Sequence, residues 1–153
     1  MKGLSFHADG ELYVVDASRV REVALMTVTP VPTAPEAVVG IANMKGRVVT
    51  ILSLAAFLER DREKNKGALT ARTLVFKYIT DSCDQMALLL DKPGDLVAIS
   101  DDKILPPPAD SAFFISGIAE TEDALYRIID IEAIIKRYKT DSKNPGEMQG
   151  GNT

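Results

Sequence analysis

Residues 40–58 read GIANMKGRVVTILSLAAFL, which parses as strand, tight turn, strand and the start of a helix. Ile41 and Ala42 close an apolar strand, and Asn43, Met44, Lys45 and Gly46 carry the turn chemistry. Asparagine at the first turn position and glycine at the fourth predict a type I turn with a glycine bulge. Val48, Val49, Ile51 and Leu52 are apolar and β-branched enough to predict a strand buried on both faces. Ser53 is placed as the N-cap of a short helix over Leu54, Ala55, Ala56, Phe57 and Leu58.

The stretch occurs twice. Residues 117–135 read GIAETEDALYRIIDIEAII, at an offset of 77. Gly40 and Gly117, Ile41 and Ile118, Ala42 and Ala119, Ile51 and Ile128, and Ala56 and Ala133 are identical without a gap. Average residue usage gives about one identity in such a window. The cap position holds Ser53 in one copy and Asp130 in the other, and either side chain satisfies the orphan N–H groups of a helix start. Pro30 and Pro107 share the offset. A duplicated β-unit is the expected architecture.

The rest of the chain agrees with a β-rich fold. Leu4, Phe6 and Ala8 alternate with Ser5 and His7 as a strand buried on one face, which turns at Asp9-Gly10 into a second strand over residues 11–15. Residues 20–25 form a mixed segment expected to begin as one helical turn. Residues 26–35 are proline-punctuated and extended. Residues 59–67, ERDREKNKG, read as a solvated helix end and linker. Leu74, Phe76 and Tyr78 alternate with Val75, Lys77 and Ile79, and Asp81-Ser82 marks a turn. Residues 86–90 are an apolar strand expected to stop at Asp91-Lys92-Pro93-Gly94. Residues 96–99 and Ile104 flank another short strand and turn, and Pro106-Pro107-Pro108 forces an extended passage. Eight to ten short strands and two short helices are predicted, folded as two small barrels of about five strands each, side by side. One domain spans residues 1–139, with the first barrel over about 10–70 and the second over about 71–139. Residues 140–153 are expected to be a disordered tail.

Composition narrows the function. Hydrophobic residues make up 46% and charged residues 26%, which is globular. Net charge −4 argues against a protein that grips a nucleic-acid backbone. A single cysteine leaves no intramolecular disulfide and fits a reducing compartment. No signal peptide is visible, and the longest apolar run, residues 48–58, is too short to span a membrane, so a cytoplasmic, soluble protein is expected.

Reactive groups do not converge. His7 is the one histidine, on the polar side of its strand, and a surface or structural role suits it better than a general base. Cys83 stands alone in a turn. Neither CxxC nor HxxH spacing occurs, and Gly40 and Gly94 belong to no nucleotide-binding pattern. Glu120, Glu122 and Asp123, like Asp101 and Asp102, fall in turns where solvation explains them. With no tryptophan there is no obvious stacking platform. No cofactor, metal or enzymatic activity is expected; the chain reads as a binding module.

Several segments resemble one family. Gly40-Ile41-Ala42-Asn43-Met44-Lys45-Gly46, then a β-branched strand and a capped short helix, is similar to the signature of the CheW-like chemotaxis adaptor domain. Val20-Arg21-Glu22-Val23 resembles the family's Val-x-Glu-Val/Ile segment, and residues 88–91 with Leu96-Val97 resemble its Val-Asp-x-Val segment. Ile115-Ser116-Gly117-Ile118 resembles a further segment near the family's end. The resemblance runs over about residues 4–138. Three positions depart from it: Thr50 replaces a usual proline, Ser53 an aspartate and Lys45 an arginine. Lys45 keeps the charge but gives up the bidentate fork.

The resemblance implies two five-stranded SH3-like barrels packed side by side around a hydrophobic centre. It also implies a non-catalytic scaffold that couples transmembrane chemoreceptors to a CheA-type histidine kinase. The partners would be the kinase's regulatory domain and the cytoplasmic tip of the receptor, with no nucleic acid and no direct membrane insertion; the protein would be recruited to receptor arrays from the cytoplasm. Partner contact is expected at Val20, Glu22, Gly40, Asn43, Lys45, Gly46 and Gly117, with Glu22 and Lys45 close together. A different class, a small β-barrel ligand-binding or enzymatic domain using Cys83 or the acidic turns, stays open on the residues alone.

Overall fold

The two copies of the quoted stretch fold alike, down to the register. In the computed structural model, which describes residues 1–58, 70–77 and 85–140, β4 (Val38–Met44) and β5 (Arg47–Leu52) form the first hairpin. The second is formed by β10 (Ile115–Glu120) and β11 (Leu125–Ile129). Gly40 lies opposite Ile51, and Gly117 opposite Ile128, each just after a register shift. Each hairpin runs into a helix: α1 (Leu54–Phe57) in the first copy, α2 over residues 131–140 in the second. The linker expected over 59–67, the turn at Asp81-Ser82, Cys83, and the tail beyond Thr140 lie outside the described residues.

The other strands are β1 (Lys2–Ala8), β2 (Glu11–Asp16), β3 (Val20–Thr27), β6 (Thr70–Phe76), β7 (Gln85–Leu90), β8 (Lys92–Ala98) and β9 (Ile104–Leu105). They sort into two sheets with matching orders, β3-β6-β7-β5-β4 and β8-β1-β2-β11-β10-β9. In each, the strand after the hairpin turn pairs in parallel with a neighbour: β5 with β7, and β11 with β2. The edge ladders correspond too. Val20 and Val23 of β3 pair with Phe76 and Leu74 around a bulge, as Pro93 and Leu96 of β8 pair with Phe6 and Leu4.

This correspondence corrects the expected boundary between barrels. A division near residue 70 would give β6 and β7 to the second barrel, yet they close the first. The matching places in the second barrel are filled by β1 and β2 from the start of the chain. The physical reason is the parallel pairing: β5 and β11 each need a partner that arrives from far away in sequence.

Alternation then divides the apolar side chains among three cores. Met26, Val49, Ile51 and Val75 fill the first barrel, and Val14, Ile99, Ala119 and Ile128 the second. Phe6, Leu52, Leu74, Phe76, Leu88 and Ile134 belong to a third cluster shared by the barrels. Leu74 and Phe76 therefore face the shared centre while Val75 faces the barrel interior, and β6 is buried on both sides. Each such side chain contributes about 1.5–3 kcal/mol by leaving water.

Local expectations changed in five places. The first hairpin turns on two residues, Lys45 (φ 53°) and Gly46 (φ 83°), because Met44 already pairs with Arg47; there is no type I turn with a bulge. Val48 is 60% exposed, since β5 outruns the core at its start. Ser5, expected on the polar side, is buried, and its hydroxyl accepts from the Asp95 N–H at 2.9 Å. The helical turn near residue 20 precedes the segment as a 3-10 turn at Ala17–Arg19, leaving Val20–Thr27 extended. Residues 91–94 do not end the β-structure; β8 begins at Lys92 as an edge strand, where Pro93 is tolerated.

Candidate functional site

The tip of the first hairpin is built by its own sequence. Gly46 takes a left-handed conformation freely, and Lys45 accepts one at some cost. The Asn43 side-chain oxygen accepts from the Gly46 N–H at 2.9 Å, which holds the turn closed. Lys45 and Arg47 are exposed there, beside exposed Val48. At the equivalent tip of the second hairpin, Thr121 organises the loop through the Ala124 N–H, and Glu120, Glu122 and Asp123 are exposed. The two tips carry opposite charge.

Gly40 and Gly117 serve the strands beneath these tips. Both are buried, and a Cβ on Gly40 would stand 2.3 Å from the Thr29 carbonyl oxygen; on Gly117 it would stand 2.9 Å from that of Leu105. They permit another strand to approach closely. Val20 is half-buried against the shared centre. Glu22 is half-buried within the β3 bulge, opposite Val75. Among the described residues no ion pair joins Glu22 to Lys45; the β3 residues beside Lys45 are Ala24–Thr27 instead.

Sequence reasoning missed the apolar surface next to these residues. Leu25 is 68% exposed and Val23 38%, on the outward face of β3. Leu25 opens onto a groove of about 750 Å³ between the barrels, walled by Gly10, Leu54, Arg72, Leu90 and Asp91. Nothing in residues 20–27 marks Leu25 as outward, since its exposure follows from β3 being an edge of its sheet. Two ion pairs join early elements of the chain to late ones, Arg19 with Glu132 on α2, and Glu11 with Arg127 at 2.9 Å across the parallel seam. Both are part-exposed, so each adds under about 1 kcal/mol.

His7 is exposed on β1, and its backbone carbonyl accepts from the Asp91 N–H at 2.9 Å. Among the described residues no group of three or more His, Cys, Asp or Glu gathers to hold a metal ion, and no helix is long and apolar enough to cross a membrane.

Two SH3-like barrels of matching strand order, sharing one apolar centre, define the class. Residues 2–139 match the CheW-like domain model, and the chain belongs to that family. It is 25% identical over 137 residues to the chemotaxis protein CheW of Treponema pallidum, covering 86% of this chain and 79% of that protein. To the chemotaxis protein CheW of Thermotoga maritima it is 27% identical over 138 residues, covering 87% and 86%. The crystal structure of the scaffolding protein TtCheW from Thermoanaerobacter tengcongensis superposes with a TM-score of 0.69 at 25% identity, covering 84% of this chain and 87% of that one.

Proposed function

We propose that the chain is a non-catalytic scaffold of chemotaxis or related chemosensory signalling, coupling transmembrane chemoreceptors to a CheA-type histidine kinase from the cytoplasm. Membership of the CheW-like family across residues 2–139 carries the reading, and the named relatives support it. The groove between the barrels has the form an amphipathic helix fills, apolar along Leu25, Leu54 and Leu90 with Arg72 and Asp91 at its sides, and is assigned to the helical receptor tip. The hairpin tip with Lys45, Arg47 and Val48 is assigned to the kinase's regulatory domain, with Asn43 and Gly46 shaping it. Val20, Glu22 and Gly40 set the strands that carry these two surfaces, while Gly117 sets a strand of the second barrel that borders neither. No step of bond chemistry is required.

The test is a binding assay of the full chain against a receptor cytoplasmic fragment and the kinase regulatory domain. Leu25→Asp should remove receptor binding and spare the kinase, and Lys45→Glu should do the reverse. Loss of both from either change, in a folded protein, would refute the assignment of separate surfaces.

A further inference from the structure

Among the described residues, a single bridge closes the first barrel. β3 and β4 are the two edges of their sheet, and they meet through Thr29 and Ile41, whose N–H and C=O groups bond reciprocally at 2.8 and 2.9 Å. From there toward the hairpin tip the edges part, leaving a cleft of about 760 Å³. Backbone groups alternate in direction along a strand, so Asn43, two residues beyond Ile41, also turns its N–H and C=O away from β5 into this cleft. On the facing edge, Thr27 is two residues before Thr29. Among the described residues no strand covers these groups.

Natural sheets protect such edges with charge, proline or shortness. The second sheet does so: β8 carries Lys92, Pro93 and Asp95, and β9 has two residues. The facing stretches of the first barrel, Ala24-Leu25-Met26-Thr27 and Ile41-Ala42-Asn43-Met44, have neither charge nor proline. Their walls mix apolar side chains with Thr27, Thr29 and Asn43, Leu25 and Val48 are exposed, and among the described residues Lys45 is the one charged side chain that lines the cleft.

We propose that this cleft is a strand-addition site, taking one extended segment of a partner protein with alternating apolar side chains and a carboxylate at its Lys45 end. Main-chain bonds to the free edges supply affinity, and the alternating side chains and Lys45 supply selection. The inference goes beyond the adaptor reading: it fixes the conformation of a ligand rather than the pathway, although Leu25 also borders the groove between the barrels and Lys45 also lies on the tip assigned to the kinase.

The probe is a capped pentapeptide, valine-threonine-valine-glutamate-glutamate, titrated into the full-length protein with amide signals followed by NMR. Binding should shift and slow the exchange of the Asn43 and Thr27 amides. Methylating one of two adjacent peptide nitrogens should weaken binding by at least about tenfold, the loss of one main-chain bond. Lys45→Glu should weaken the glutamate peptide and favour a twin ending in lysines. Unchanged Asn43 and Thr27 amides at millimolar peptide, a peptide bound as a helix, or indifference to methylation at both positions would each overturn the proposal.

Discussion

Ser53 and Asp130 make the same bond 77 positions apart: the Ser53 hydroxyl accepts from the Ala56 N–H at 3.2 Å, and the Asp130 carboxylate from the Ala133 N–H at 3.1 Å. Their own N–H groups also match, donating to Ala37 and Phe114 at 2.8 Å. The correspondence extends beyond a hairpin and a helix to the strands that enter them. Each cap should therefore contribute on its own. Ser53→Ala and Asp130→Ala are each expected to cost about 1 kcal/mol in urea unfolding. The swap is asymmetric: Asp130→Ser should be mild, whereas Ser53→Asp should cost more, because Ser53 is 3% exposed and an aspartate there would lose its water.

The two glycines rank by the space they are denied. Gly40→Ala should destabilise by about 2–3 kcal/mol and Gly117→Ala by less, since the added carbon meets backbone at 2.3 Å in one and 2.9 Å in the other. Denaturant midpoints check the order. A costlier Gly117 substitution would mean that the second barrel is the more rigid of the two at its crossing.

Lys45 separates stability from recognition. Lys45→Gly removes a side chain from a left-handed position and is expected to raise stability by up to about 1 kcal/mol while weakening kinase binding. Lys45→Glu should leave the melting temperature nearly unchanged and weaken the same binding further, with the difference shrinking in high salt. Because Glu22 makes no ion pair with Lys45, adding Glu22→Lys to Lys45→Glu should restore nothing. Recovered binding in the double variant would show that the two positions act as a pair.

Asp16 contributes to the acid limb. The Ser18 backbone N–H, then its hydroxyl, hold the Asp16 carboxyl below its ordinary value. A lowered folded value means stability that is present above the unfolded carboxylate range and lost as pH falls through the folded value. Asp16→Asn should therefore lower stability at neutral pH, where the carboxylate's contribution is present, and the difference from the parent should shrink below about pH 4. A loss near pH 7 equal to that in acid would point to a role other than the carboxylate's.

Much of the fold is legible because duplication writes it twice: Gly40 with Gly117 and Ser53 with Asp130 mark both hairpins in the sequence itself. The barrel boundary was not legible, since linear order says nothing about which strand fills the parallel place beside β5 or β11. Val48 and Ser5 were misplaced for a related reason. Apolar or polar character predicts burial only when the neighbouring strand is known, and Ser5 is buried because Asp95 supplies its hydrogen bonds. At the site, the motif pointed to Asn43, Lys45 and Gly46, which the structure joins in one turn. Leu25 escaped notice because an exposed leucine in a strand looks, in sequence, like any core residue.

Simultaneous capture is the most direct measurement of the account. Full-length protein should hold a receptor cytoplasmic fragment and a CheA-type regulatory domain in one complex on size-exclusion chromatography, with Leu25→Asp losing only the receptor and Lys45→Glu only the kinase. A wild-type protein that binds the two in competition, or binds neither, would contradict the scaffold assignment.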